Sequence, residues 1–221
     1  MTFTTWFAHI DWPATGAMLQ GLGTVGGAVA VYAAARFGFA MWRRQKLAER
    51  NRDQAEIILH AAYNARRALN NVRAAFMPNQ ELVAAEQMLA TQNDDWRKFH
   101  VKEKQARMIT TQAYYTRLSH HRDEHAKLFE CIPLAKALFG DRLEQAMENL
   151  IRQFIKIRVY ADSYVNDYNG RDHIFSNRIT KALFYMGEDA TGEPDEITDN
   201  IKQSIKIIEE ICLPHLRMQA I

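Results

Sequence analysis

WPATGAMLQGLGTVGGAVAVYAAA, residues 12–35, is a run of 24 residues without one charged side chain. At 1.5 Å per residue it makes a helix of about 36 Å, longer than the roughly 30 Å of hydrocarbon in a bilayer. It therefore reads as a transmembrane helix over residues 12–42. Trp12 and Trp42 flank it, about 45 Å apart on a helix, the spacing of two interfacial anchors at the headgroup layers. Arg36 lies near the end of the span, where a long arginine side chain can reach the headgroups.

The segment also predicts a direction. Arg43, Arg44, Lys46, Arg50 and Arg52 stand against the single acid Glu49 just after the apolar run, whereas residues 1–11 carry no lysine or arginine. Basic residues beside a membrane span stay on the cytoplasmic face. The expectation is an inner-membrane protein with residues 1–11 outside and residues 43–221 in the cytoplasm. A cleaved signal peptide would need basic residues before the apolar run, so the anchor is expected to stay. The competing reading of the same stretch is a hydrophobic helix buried inside a soluble protein.

Within the run, Gly21 to Gly27 spell GLGTVGG, which contains GxGxxG and is similar to the phosphate loop of homoserine dehydrogenases over those seven residues. The resemblance implies dinucleotide binding, which needs a strand before the glycines and a βαβ unit around them. Ala17 to Gln20 are not β-branched and everything downstream reads as helix, so no cofactor is assigned. The same glycines give a second reading. Gly23 and Gly27 form GxxxG on one helical face, where two backbones can approach closely in lipid.

Beyond the anchor, Ala48, Asn51, Ala55, Ile58, Ala62, Ala65, Leu69, Val72 and Phe76 alternate steps of three and four. That is a heptad seam, and with no proline between Ala14 and Met77 the membrane helix runs into it as one rod of up to about 90 Å. Ile58, Ala62, Ala65 and Leu69, with Gly23 and Gly27 above them, are the candidate oligomerisation residues. Met77-Pro78-Asn79 is expected to end the rod.

The remainder reads as an antiparallel helical bundle, which makes the fold class all-α. One helical region covers about 80–130, with a break at Asn93-Asp94-Asp95, since Asn and Asp favour caps. Cys131 to Phe139 reads as a short apolar piece interrupted by Pro133. Leu143, Met147, Leu150, Phe154, Ile157, Ala161, Tyr164 and Tyr168 mark a core helix of about 28 residues. A shorter helix spans 173–186, and the last covers about 195–211 and stops at Pro214. GEDATGEPDE, residues 187–196, lacks the spacing of a calcium loop and reads as solvated.

Composition limits the function classes. A net charge of +2 over 221 residues gives no global attraction for nucleic acid. Two cysteines about eighty residues apart read as reduced residues in or near the core. The strongest chemical cluster is His120-His121-Arg122-Asp123-Glu124-His125. Here His121-x-x-Glu124-His125 resembles the HxxEH of inverted zinc proteases, implying His121 and His125 as metal ligands beside Glu124. Those proteases are α/β proteins with a downstream acidic ligand, and this chain offers no evident third ligand. Tyr114, Tyr115, Tyr160, Tyr164 and Tyr168 read as core-edge residues or a pocket lining.

The sequence thus predicts a membrane-anchored, self-associating interaction or signal-transmitting bundle whose partners are the lipid bilayer, a second copy and an unnamed protein. A pore-forming effector of a toxin or phage-defence type is the alternative. A metal-dependent enzyme at His120–His125 is the third reading.

Overall fold

Steps of three and four run through most of the chain and outweigh the one short two-residue alternation, Ile155 to Tyr160, and the computed structural model follows that pattern. It describes residues 12–93, 95–98, 100–170, 172–185 and 195–217, without the side chains of 12–19 and 21–23. Residues 1–11 and the acidic stretch 187–194 lie outside this description. Among the described residues there are seven helices and no strand: α1 (Trp12–Val72), α2 (Asn79–Gln92), α3 (Lys102–His120), α4 (Arg122–Phe139), α5 (Asp141–Asn166), α6 (His173–Leu183) and α7 (Glu196–Leu216). The chain divides into a unit of residues 1–50 and a unit of residues 51–221.

In the second unit α5 is the central helix, packed against α3, α4, α6 and α7. Its buried stripe follows the predicted one through Leu143, Met147, Leu150, Phe154, Ile157 and Ala161, but Tyr164 is only partly buried and Tyr168 lies beyond the helix end. Each large apolar side chain taken out of water there contributes about 1.5–3 kcal/mol. From α7, Ile197, Ile201, Ile205 and Ile208 complete a face of the same core. Ile155 to Tyr160, which alternate in polarity over six residues, are helical because the longer period sets the buried stripe.

Several boundaries differ from the sequence pattern. α1 ends at Val72, so Phe76 leaves the seam and is 78% exposed. The reason lies in the next residues. The Tyr185 amide donates to the Arg73 carbonyl at 2.8 Å and the Ala75 amide donates to the Tyr185 carbonyl at 3.1 Å. This isolated parallel bridge of Ala74 with Tyr185 takes the backbone groups a longer helix would use. It also ends α6 at Leu183 rather than 186.

The predicted break after α2 is present, with Asn93 Oδ1 accepting from the Asp95 amide at 2.9 Å. A second break falls at His121, whose backbone (φ −102°, ψ 21°) separates α3 from α4. Cys131 to Phe139 is the second half of α4 rather than a separate piece, and the helix continues through Pro133. α7 likewise runs through Pro214 to Leu216. A proline removes one backbone donor, and in each helix buried neighbours, Leu128 and Ala135 or Ile208 and Cys212, offset that loss. Gly140, at φ 86°, makes the one-residue turn between α4 and α5.

Candidate functional site

The first surface to weigh is the apolar one. Residues from Thr24 onward in α1 include a segment long and apolar enough to cross a membrane, and none of that segment is buried. Val31, Phe37, Phe39 and Met41 are each 60–74% exposed, and Trp42 stacks on Phe39 with ring centroids 5.7 Å apart. No described part of residues 1–50 covers them. Beyond them, Lys46 pairs with Glu49 at 2.7 Å. Arg43, Arg44, Arg50 and Arg52 have no hydrogen-bond or ion-pair partner among the described residues. Gly27 has nothing within 4 Å of where a Cβ would stand, so its face is open. The surroundings of Gly23 lie outside the described side chains.

The heptad seam has a different occupant from the one the sequence suggests. Ile58, Ala62, Ala65 and Leu69 are all 0% exposed and belong to the core of their own chain. Their apolar surface faces other helices of the bundle. A seam pattern records that something apolar covers it; here the cover is intramolecular.

His121 and His125 flank the start of α4, with His121 Nδ1 3.5 Å from Glu124 Oε1. The His125 ring packs edge-on against Phe154, centroids 5.3 Å apart, and burial pushes its pKa below the ordinary histidine value. Burial raises the Glu124 carboxyl, but its own backbone N–H and His121 outweigh this and hold it below the usual carboxylate range. Among the described residues no three His, Cys, Asp or Glu side chains are grouped to hold a metal ion.

Tyr114, Tyr115 and Tyr164 make contacts within the bundle, whereas Tyr160 lines a concavity. Tyr114 is fully buried, its hydroxyl donating to the Leu183 carbonyl at 2.9 Å, and desolvation raises its pKa. Tyr115 donates to Asp162, and burial followed by that carboxylate pushes it up to about 12. Tyr164 stands edge-on to Phe184 and under the guanidinium of Arg107. Cys212 is buried and its thiol pushed up to about 12 by desolvation, whereas Cys131 is half-buried and free.

Sequence reasoning missed three arginines that close helix ends. Arg73 is 0% exposed; it donates to the carbonyls of Ala182 (2.6 Å) and Lys181 (3.2 Å), to Thr198 Oγ1 (3.0 Å) and to Asp195 Oδ2 (2.7 Å). Asp195 also caps α7, accepting from the amides of Ile197 and Thr198. Burial raises its carboxyl, but the Thr198 and Arg73 hydrogen bonds prevail and lower it. Arg117 forks onto both Glu81 oxygens (2.6 and 2.8 Å) and reaches the carbonyls of Val72, Ala74 and Phe76. Arg107 donates to the carbonyls of Tyr164 and Asp167. These carbonyls lie at or just past the ends of α1, α5 and α6, which lack intrahelical donors. The legible signal was Arg73 itself, four residues after Leu69 on the buried stripe.

Two concavities lie on the bundle surface among the described residues. One, of about 360 Å³, lies between α5, α6 and the start of α7 and contains Glu196, already paired with Lys156 and Arg178 at 2.5 Å each. Those two bonds lower Glu196 to about 2. The other is a groove of about 770 Å³ between α1 and α4, bordered by Asp53, Glu56, Glu124 and Glu130.

No family of known proteins, no curated protein and no solved structure matches this chain. The functional reading rests on these surfaces alone.

Proposed function

We propose that this protein is a single-pass, membrane-anchored helical bundle that works by association, holding or relaying a partner on its cytoplasmic side. The observation that supports this most is the uncovered apolar length of α1, with Val31 71% and Phe37 74% exposed. In water such a continuous surface drives aggregation; in lipid it costs nothing. The unpaired guanidiniums of Arg43 and Arg44 then lie at the headgroup layer, attracted by anionic lipid at about 1 kcal/mol each. They set the bundle on the cytoplasmic face of the plasma (inner) membrane, with the N-terminus outside. Self-association, in this reading, belongs to the Gly27 face within lipid and not to the seam beyond it.

Alkaline carbonate extraction of membranes from expressing cells tests the anchor. The full chain stays with the membrane pellet, and a C-terminal reporter is active only on the cytoplasmic side. Release of the unmodified chain into the carbonate supernatant, or a reporter active outside, overturns the reading.

A further inference from the structure

We infer that the groove between α1 and α4 is a docking site for a cationic amphipathic helix of a partner protein. The groove runs beside Asp53 to Asn64 on α1 and Glu124 to Leu134 on α4. Eleven residues of helix make it about 16 Å long, or three turns of an occupant. A helix is the matching occupant, because two parallel ridges of side chains leave a channel that a third helix fills.

Its floor and rim differ in chemistry. Ile57, 50% exposed, and Leu134, 39% exposed, supply apolar anchor points beside buried Ala61. Around them stand the carboxylates of Asp53, Glu56, Glu124 and Glu130, against the single lysine Lys127. That balance fits a partner with lysines or arginines flanking an apolar stripe.

Four acids at other helix contacts are matched within the chain: Glu81 by Arg117, Glu144 by Lys136, Glu196 by Lys156 and Arg178, Glu210 by Arg142. Asp53, Glu56 and Glu130 have no hydrogen-bond or ion-pair partner among the described residues. Glu124 turns one oxygen toward His121, while its Oε2 is buried and accepts no hydrogen bond. A helix bringing cations to this rim supplies the charge and the donor that the chain does not.

The inference rests on the reading of the bundle as an association module and is independent of the anchor. A built-in reporter lies in the groove: Cys131 lines it and is half-buried, while Cys212 is sealed in the core. The probe is a leucine–lysine amphipathic peptide of about 14 residues, long enough to span the groove, added to the full chain in nanodiscs. Saturating peptide is expected to slow maleimide labelling of Cys131 about tenfold, and a leucine–glutamate peptide of the same pattern to leave it unchanged. Glu56→Lys with Glu130→Lys weakens peptide binding about tenfold, as two attractions become repulsions. Ile57→Ser, which removes an exposed anchor without touching the core, weakens it while leaving the charge balance alone.

Equal labelling with and without peptide overturns the inference. So does equal binding by the wild type and the double variant, which assigns the peptide to the lipid surface. Carbonate fractionation reads the anchor and Cys131 protection reads the groove, so failure of one leaves the other standing.

Discussion

Arg73→Met removes the clamp that joins the end of α1 to α6 and α7 while keeping most of the buried volume. Four acceptors lose their donor: the carbonyls of Lys181 and Ala182, Thr198 Oγ1 and Asp195 Oδ2. Because Arg73 is 0% exposed and the Asp195 side chain 14%, little water reaches the groups left behind. Removing one partner of a buried pair costs about 3–5 kcal/mol, most of it from stranding the other. Asp195 keeps its bonds from Thr198 and from two backbone amides, which places the loss toward the lower end of that range. For a domain of this size, each kcal/mol lowers Tm by about 2–4 °C, so the variant should unfold about 6–14 °C earlier. Thermal unfolding of the full chain in detergent, followed by far-UV circular dichroism, reads this directly. Asp195→Asn is the control, because asparagine caps a helix as well as aspartate and loses only the charge. Combining the two substitutions should cost less than the sum of the singles by about 1 kcal/mol or more, the mark of a direct pair. A Tm within about 2 °C of wild type for Arg73→Met, or strict additivity in the cycle, refutes the clamp.

Tyr114→Phe leaves the Leu183 carbonyl without its side-chain donor in a buried setting and should cost about 1–3 kcal/mol in urea unfolding, with an unchanged m-value. Gly140→Ala meets no atom within 4 Å, yet forces an L-residue to φ 86°, so it should destabilise by about 1 kcal/mol through backbone strain alone; a neutral result contradicts that turn geometry. Lowering pH should weaken the bundle in two stages. His125 is held below its ordinary value by burial, so the stability it gives is full above that value and is lost as pH falls beneath it. Asp195 is lowered and Glu196 is near 2; both stabilise above the usual carboxylate range and cease to as pH falls toward their folded values. Urea midpoints across pH 7 to 3 measure both stages, with His125→Gln expected to flatten the upper and Asp195→Asn the lower.

The helices were largely legible because their evidence is local. The core stripe of α5, from Leu143 to Ala161, lies on one face by spacing alone, and the buried set agrees with it. Boundaries were less legible where a distant group competes for the backbone. Nothing near Phe76 announces that Tyr185 takes the hydrogen bonds of Arg73 and Ala75, and a proline such as Pro133 looks like a stop until the burial on either side of it is known. The HxxEH string shows how little spacing says about a site: the His125 ring packs on Phe154, and among the described residues no three His, Cys, Asp or Glu side chains gather to hold a metal ion.

By itself the sequence determined an all-helical chain with an uncharged apolar length and a basic collar, because helix period, span and charge order are properties of neighbours along the chain. The tertiary structure alone decided who covers the seam of Ile58, Ala62, Ala65 and Leu69, where Arg73 finds its four acceptors, and which acids remain unmatched between α1 and α4. An apolar stripe specifies only that water must leave it. Whether the chain itself or another molecule does the covering depends on contacts between residues far apart in the sequence.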